Sequence, residues 1–180
     1  EPAHIYLIKK DMNREKIHLQ GIRQSSYFDV YNNQIVYAAQ YFHPRWNLKD
    51  YSELVLYHIE SKEFKQLTQE KRIFSPNFIQ NGNRIVAVEM DKNLMAHLVI
   101  YESSGELHQT FDNPNNYYFT FPSEVSEKEI IVGLRDTLGR TNLSLFNNQT
   151  QNHDLLLPWT FLQIGIPRYG GGFIYFSASF

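Results

Sequence analysis

Apolar residues along this chain come in short runs separated by clusters of Asn, Gly, Asp and Ser, and no long window carries a helical period. The runs are alternating or fully apolar and rich in Ile, Val, Tyr and Phe, which predicts many short strands joined by turns. They also recur. One kind reads Glu53-Leu-Val-Leu-Tyr-His-Ile-Glu-Ser, His97-Leu-Val-Ile-Tyr-Glu-Ser-Ser-Gly and Asn142-Leu-Ser-Leu-Phe-Asn-Asn-Gln-Thr, with Leu54, Leu98 and Leu143 spaced 44 and 45 apart. A second kind begins at Ile35, Ile85, Ile130 and Ile174, spaced 50, 45 and 44 apart. Pro76, Pro122 and Pro167 return at spacings of 46 and 45.

A period near 45 with about four short strands in each predicts an all-β chain of β-propeller blades, each a four-stranded antiparallel sheet. Such a sheet is apolar on both faces and buries them only by stacking between neighbours. A generic sandwich has no need to return the same turns and prolines three times. The expected division is one propeller segment over 1–180: a half blade over 1–24, blades over 25–72, 73–115 and 116–160, and a half blade over 161–180. Within these, strands are expected at His4–Lys10 and Lys16–Ile22 (the last two of an earlier blade) and at Leu162–Arg168 and Phe173–Phe180 (the first two of a later one). On this reading the chain starts and stops inside a blade. Either it is part of a larger ring, the favoured expectation, or its two halves pair and close a ring of four.

The second repeat reads Glu63-Phe-Lys-Gln-Leu-Thr, then Arg72-Ile-Phe-Ser-Pro-Asn-Phe-Ile-Gln-Asn-Gly-Asn-Arg-Ile-Val-Ala-Val. It resembles the TolB-like propeller repeat: a Leu-Thr strand end, an aromatic-Ser-Pro step, a hairpin and an Ile-rich strand. Asn81-Gly82 stands where the family has Asp-Gly, and both dipeptides accept the positive φ of a tight hairpin. The third repeat departs, with Ser126-Glu127-Lys128 in place of the hairpin glycine, and the fourth carries Tyr169-Gly170-Gly171-Gly172. The resemblance extends from about Tyr27 onward and is most specific at the second repeat. It implies a propeller segment of a large exported Bacteroidetes-type protein, periplasmic or at the cell surface. Such repeats occur in interaction propellers and in the propeller portions of large peptidases.

Charge adds little: 17 Lys and Arg against 19 Asp and Glu give no electrostatic case for nucleic acid or an anionic membrane. No apolar stretch approaches the roughly 18 residues of a membrane span, so no membrane insertion is expected. With no cysteine, disulfides, thiolate metal sites and thiol nucleophiles are excluded. The sequence begins Glu1-Pro2-Ala3, without a signal peptide in these residues.

Candidate chemistry is sparse. His-Glu-x-x-His and Gly-x-Ser-x-Gly are absent, no two of the seven histidines lie three to five residues apart, and Gly170-Gly171-Gly172 lacks the Lys-Ser/Thr of a phosphate loop. No catalytic residue, metal or cofactor is therefore expected. What remains is a loop face. Asp91 and Asp136, 45 apart, each follow an Ile-rich strand; they either bind a cation or basic peptide or begin an Asx turn. Arg140 shares the second of these loops, and Arg45, Trp46 and Tyr51 belong to the longest one, residues 42–52, whose composition is that of an interface anchor. The alternative is that Trp46 folds back on its own blade. Tyr117 sits in the connection 112–118, either at the ring's mouth or at the start of the next inner strand. The expected function is a non-catalytic module whose partner is a protein or peptide, possibly another domain of the parent chain. The alternatives are a substrate-gating propeller of a larger exported peptidase and a carbohydrate-binding propeller.

Overall fold

A computed structural model describes residues 5–17, 27–42 and 50–180. The chain opens with a hairpin, β1 (Ile5–Ile8) and β2 (Arg14–Ile17). Three four-stranded antiparallel sheets follow, each paired in chain order. The first is β3 (Phe28–Tyr31), β4 (Gln34–Phe42), β5 (Asp50–His58) and β6 (Glu63–Gln66). The second is β7 (Ile73–Ile79), β8 (Arg84–Met90), β9 (Ala96–Glu102) and β10 (Leu107–Thr110), and the third β11 (Tyr118–Ser126), β12 (Glu129–Arg135), β13 (Thr141–Asn147) and β14 (His153–Leu155). Four short strands end the chain: β15 (Gln163–Ile164), β16 (Arg168–Gly170), β17 (Phe173–Tyr175) and β18 (Ala178–Ser179). The strands expected at Leu162–Arg168 and Phe173–Phe180 are each broken into short pieces, while His4 and residues 18–22 of the expected N-terminal strands lie outside the described residues. At the C-terminal end β16 pairs β17 and β15 pairs β18, one hairpin whose pairing is interrupted between them: the Gly165 N–H still donates to the Ser177 carbonyl at 2.8 Å, but Pro167 has no N–H to give.

Strand alternation explains why the second strand of each sheet is an unbroken apolar run. Successive side chains point to opposite faces, and both faces are covered. Ile35 and Tyr37 pack with Ile5 and Ile17 of the first hairpin, whereas Val36 packs with Ile73, Ile85 and Ala87 of the second sheet. Val86 and Val88 in turn meet Ile130, Val132 and Leu134 of the third. The core is therefore three slabs between sheets, with the outer strands β6, β10 and β14 largely exposed.

The recurring prolines mark a bulge. The β7–β8 register slips between Phe74 and Asn77, around Ser75-Pro76, and the β11–β12 register slips between Thr120 and Ser123, around Phe121-Pro122. Ser75 and Phe121 both take φ 49. Proline lacks the N–H a ladder needs, and a bulge is where a strand tolerates that loss.

Polar side chains at the head of each third strand fasten the connection to the next sheet. Ser52 Oγ donates to the Ile73 carbonyl, and Thr141 Oγ1 donates to the Leu162 carbonyl. Ala96 has no hydroxyl at that position, and Asn113 compensates by donating to its carbonyl at 2.7 Å. One residue on, the buried Glu53 accepts from Thr68 Oγ1 at 2.7 Å and from the Lys71 N–H at 3.0 Å.

Two substitutions test this packing. Leu98→Ala, at a fully buried site in the slab between the second and third sheets, is expected to cost about 2–5 kcal/mol in urea unfolding. Phe173→Ala, 67% exposed, should cost a small fraction of that. Gly105 lies at φ +100 with the Leu67 carbonyl oxygen 2.4 Å from where a Cβ would stand. Gly105→Ala is therefore expected to cost at least about 1 kcal/mol; an unchanged unfolding midpoint would show that the turn is free to relax.

Candidate functional site

The turns joining second and third strands, and the connections between sheets, lie on one face, because antiparallel strands in chain order return to the same end at every second connection. Residues 91–95 and 136–140 are built alike. Asp91 N–H donates to the Met95 carbonyl at 2.9 Å, and Asp136 N–H to the Arg140 carbonyl at 2.9 Å. The Asp91 carboxylate accepts the N–H groups of Asn93 (2.8 Å) and Met95 (2.9 Å) and sits 3.5 Å from His97 Nε2. The Asp136 carboxylate accepts the N–H groups of Leu138 (3.0 Å) and Arg140 (2.8 Å), and the Arg140 guanidinium grips its second oxygen twice at 2.8 Å. Both carboxylates thus close their own turns.

The backbone bond from Met95 is the main cause holding Asp91 below the usual carboxylate range. At Asp136 desolvation pushes upward, but hydrogen bonds and charge from Arg140 prevail and its pKa is lowered too.

Arg140 also lies over the ring of Trp159, its Cζ 5.7 Å from the centroid, and Trp159 packs against Tyr117 at 5.3 Å. Tyr117 is fixed by Asn113, which accepts its N–H at 2.9 Å and donates to its carbonyl at 2.8 Å. Asp136, Arg140, Trp159 and Tyr117 therefore form one continuous row. Its aromatic members rest against the core slab between the second and third sheets. Trp159 was not among the site candidates from sequence; the run Pro158-Trp159-Thr160 counted only toward the family resemblance.

Tyr51 and Asp91 belong to a second group. They line a groove of about 710 Å³ between the first and second sheets, walled also by Glu70, Arg72, Glu89 and Lys92. Lys71 bridges to Glu89 across it at 2.7 Å. Arg45 and Trp46 lie outside the described residues, so the structure unites five of the seven candidates in two clusters.

Ser144 Oγ stands 3.0 Å from His153 Nδ1, but Ser144 is 0% exposed and also donates to the Asp154 carbonyl at 3.0 Å. A hydroxyl so placed is shut off from substrate. Among the described residues no group of three or more His, Asp or Glu side chains could hold a metal ion, and no helix is long and apolar enough to cross a membrane.

Nearer the axis, where the innermost strands converge, Tyr27 Oη accepts from Asn77 Nδ2 at 2.9 Å and from Arg168 Nη1 at 3.4 Å. The Tyr27 ring packs on Phe121 at 5.2 Å. Asp29 Oδ2 accepts the Phe78 N–H at 2.8 Å, and burial raises its carboxyl despite that bond. These contacts tie the start of the first sheet to the terminal hairpin, 141 residues away.

Four-stranded sheets stacked around converging inner strands define an all-β propeller fold. More particularly, it is the TolB-like propeller fold. The protein assigned as TolB in Agrobacterium tumefaciens superposes with a TM-score of 0.68 at 14% identity, covering 87% of this chain and 57% of that one. TolB from Acinetobacter baumannii gives 0.60 at 11% identity, over 94% of this chain and 43% of that. The acylaminoacyl peptidase of Pyrococcus horikoshii gives 0.56 at 12% identity, over 98% of this chain and 34% of that. The chain thus spans between a third and three fifths of these structures. No protein-family model matches it, and no curated protein is similar to it in sequence.

Asp136 provides a pH test. A carboxylate with a lowered folded-state pKa contributes stability that is full above its unfolded value, near 3.8, and lost as pH falls through the folded value. Asp136→Asn should therefore be less stable than the parent at pH 7, with the gap narrowing below about pH 4. A gap independent of pH would show that the charge of Asp136 is immaterial to the turn.

Proposed function

We propose that this chain is a non-catalytic interaction or scaffolding module, an arc of a larger propeller that holds a protein or peptide on its loop face. The observation that carries the reading is the row Asp136–Arg140–Trp159–Tyr117. A bidentate ion pair and two packed rings set a cation and aromatic surface in fixed positions, so binding there has little ordering cost. The groove beside Tyr51 and Asp91 extends the same face. The arc reading draws support from the short span of this chain on its structural neighbours and from the terminal hairpin, whose Phe173 and Tyr175 are exposed where the matching strands of the other sheets are buried. Location outside the cytoplasm follows only from the family resemblance.

A second reading is favoured by one comparison. The chain lies almost whole within a peptidase that is about three times longer, which fits a substrate-gating part of a larger hydrolytic polypeptide. The carbohydrate-binding alternative has no comparable support.

Selection of peptides from a random display library tests the first reading. Selected peptides are expected to lose at least about tenfold in affinity with Arg140→Ala or Tyr51→Ala. They should keep it with Lys62→Ala, on the opposite face. Equal losses from both faces, or turnover of a fluorogenic peptide panel by this chain alone, would defeat the module.

A further inference from the structure

Beside the row just described, the loop face carries a cation that the fold does not use. Arg135 ends β12, is exposed, and makes no ion pair among the described residues, whereas its neighbour Asp136 is already neutralised by Arg140. The local balance is therefore one uncompensated positive charge. Two hollows meet at this side chain. One, of about 470 Å³, runs between the third sheet and the terminal hairpin and is walled by Leu138 and Phe161. The other, of about 440 Å³, is walled by Tyr118, Thr137 and Asp136, whose carboxylate is already paired with Arg140. Arg135, Thr120 and Gly139 line both. Each hollow lies in the size range of ligand-binding pockets, about 300–1,000 Å³.

The apolar walls are open to solvent: Leu138 is 69% exposed, Phe161 74% and Tyr118 48%. Three large apolar side chains left in water around an unpaired guanidinium form a patch of the kind that marks a binding surface. Its chemistry is specific. An anion is required at the centre, and carboxylate matches the guanidinium fork. Apolar groups are required on both sides. From this geometry we infer that the Arg135 site takes an acidic peptide segment, with an Asp or Glu side chain on the guanidinium and an apolar side chain in each flanking hollow. The inference rests on the module reading and narrows it to one sub-site and one partner chemistry.

The test is titration of the ¹⁵N-labelled chain with Ac-Phe-Glu-Phe-NH₂ and, separately, with Ac-Phe-Gln-Phe-NH₂. The acidic peptide is expected to shift the amide signals of Thr120, Gly133 and Gly139 saturably, and the neutral one to bind about tenfold more weakly. Arg135→Gln removes an exposed side chain and should leave the thermal midpoint unchanged while abolishing the preference for Glu over Gln. Phe161→Ala, equally exposed, should weaken both peptides alike. Equal binding of the two peptides to the parent, shifts confined to other residues, or an Arg135→Gln variant that still prefers Glu would each overturn the assignment. Loss of this site with display-selected peptides still bound near Arg140 would remove only the sub-site; loss of both would remove the module as well.

Discussion

Stacking of sheet on sheet is the constraint on which the rest of the molecule depends. No four-stranded sheet here has a private core. Ile85 and Ala87 face the first sheet, Val86 and Val88 face the third, and all are buried. Each sheet is therefore stable only as a neighbour of others, and stability is distributed over a series of interfaces between sheets. The slab between the second and third sheets is closed by Phe111 and Phe119, each in edge-to-face contact with Phe146. The two terminal hairpins stand at the ends of that series. The first covers Ile35 and Tyr37, and the last packs on the third sheet while leaving its outer side chains in water.

Because the sheets are fixed by stacking, their loops are free to be shaped by local polar bonds. Asp91 and Asp136 close equivalent turns, while Ser52, Thr141 and Asn113 tie the connections to the heads of the third strands. In the first and third sheets a hydroxyl at the head of the third strand makes the bond; in the second, where Ala96 stands there, Asn113 of the connection reaches back to the Ala96 carbonyl. On this face Arg140 is held in place by its ion pair with Asp136 and its stacking over Trp159. The groove beside Tyr51 is rich in charge of both signs, whereas the hollow walled by Leu138 and Phe161 is mostly apolar with Arg135 as its charged residue among those described. Two gaps between sheets thus present unlike surfaces built on one scaffold.

Much of the scaffold was legible in the residues themselves. Burial on both faces forces apolar residues at every position of an inner strand, so the Ile-rich runs return at the blade period, and the leucines of the third strands return with them. The spacing of Asp91 and Asp136 likewise exposed a repeated turn, since an Asx turn is made by residues within a few positions of one another. The prolines were visible as a period but not as a bulge, because an extra residue in one strand is defined by its partner strand.

The site lay mostly beyond such reading. Tyr117 and Arg140 were visible as loop residues, but their meeting on Trp159 joins positions 42 and 19 residues away, and nothing local encodes it. Arg135 is one of many charged strand ends in the sequence, and only the structure shows that its neighbour Asp136 is paired with Arg140 instead. Tyr27 and Arg168, 141 residues apart, meet only because the inner strands converge. The sequence by itself determined the strands, their period and the turns, all of which arise from short-range alternation and local hydrogen bonding. Only the tertiary structure decided which side chains share a surface, because that depends on how the sheets twist and stack.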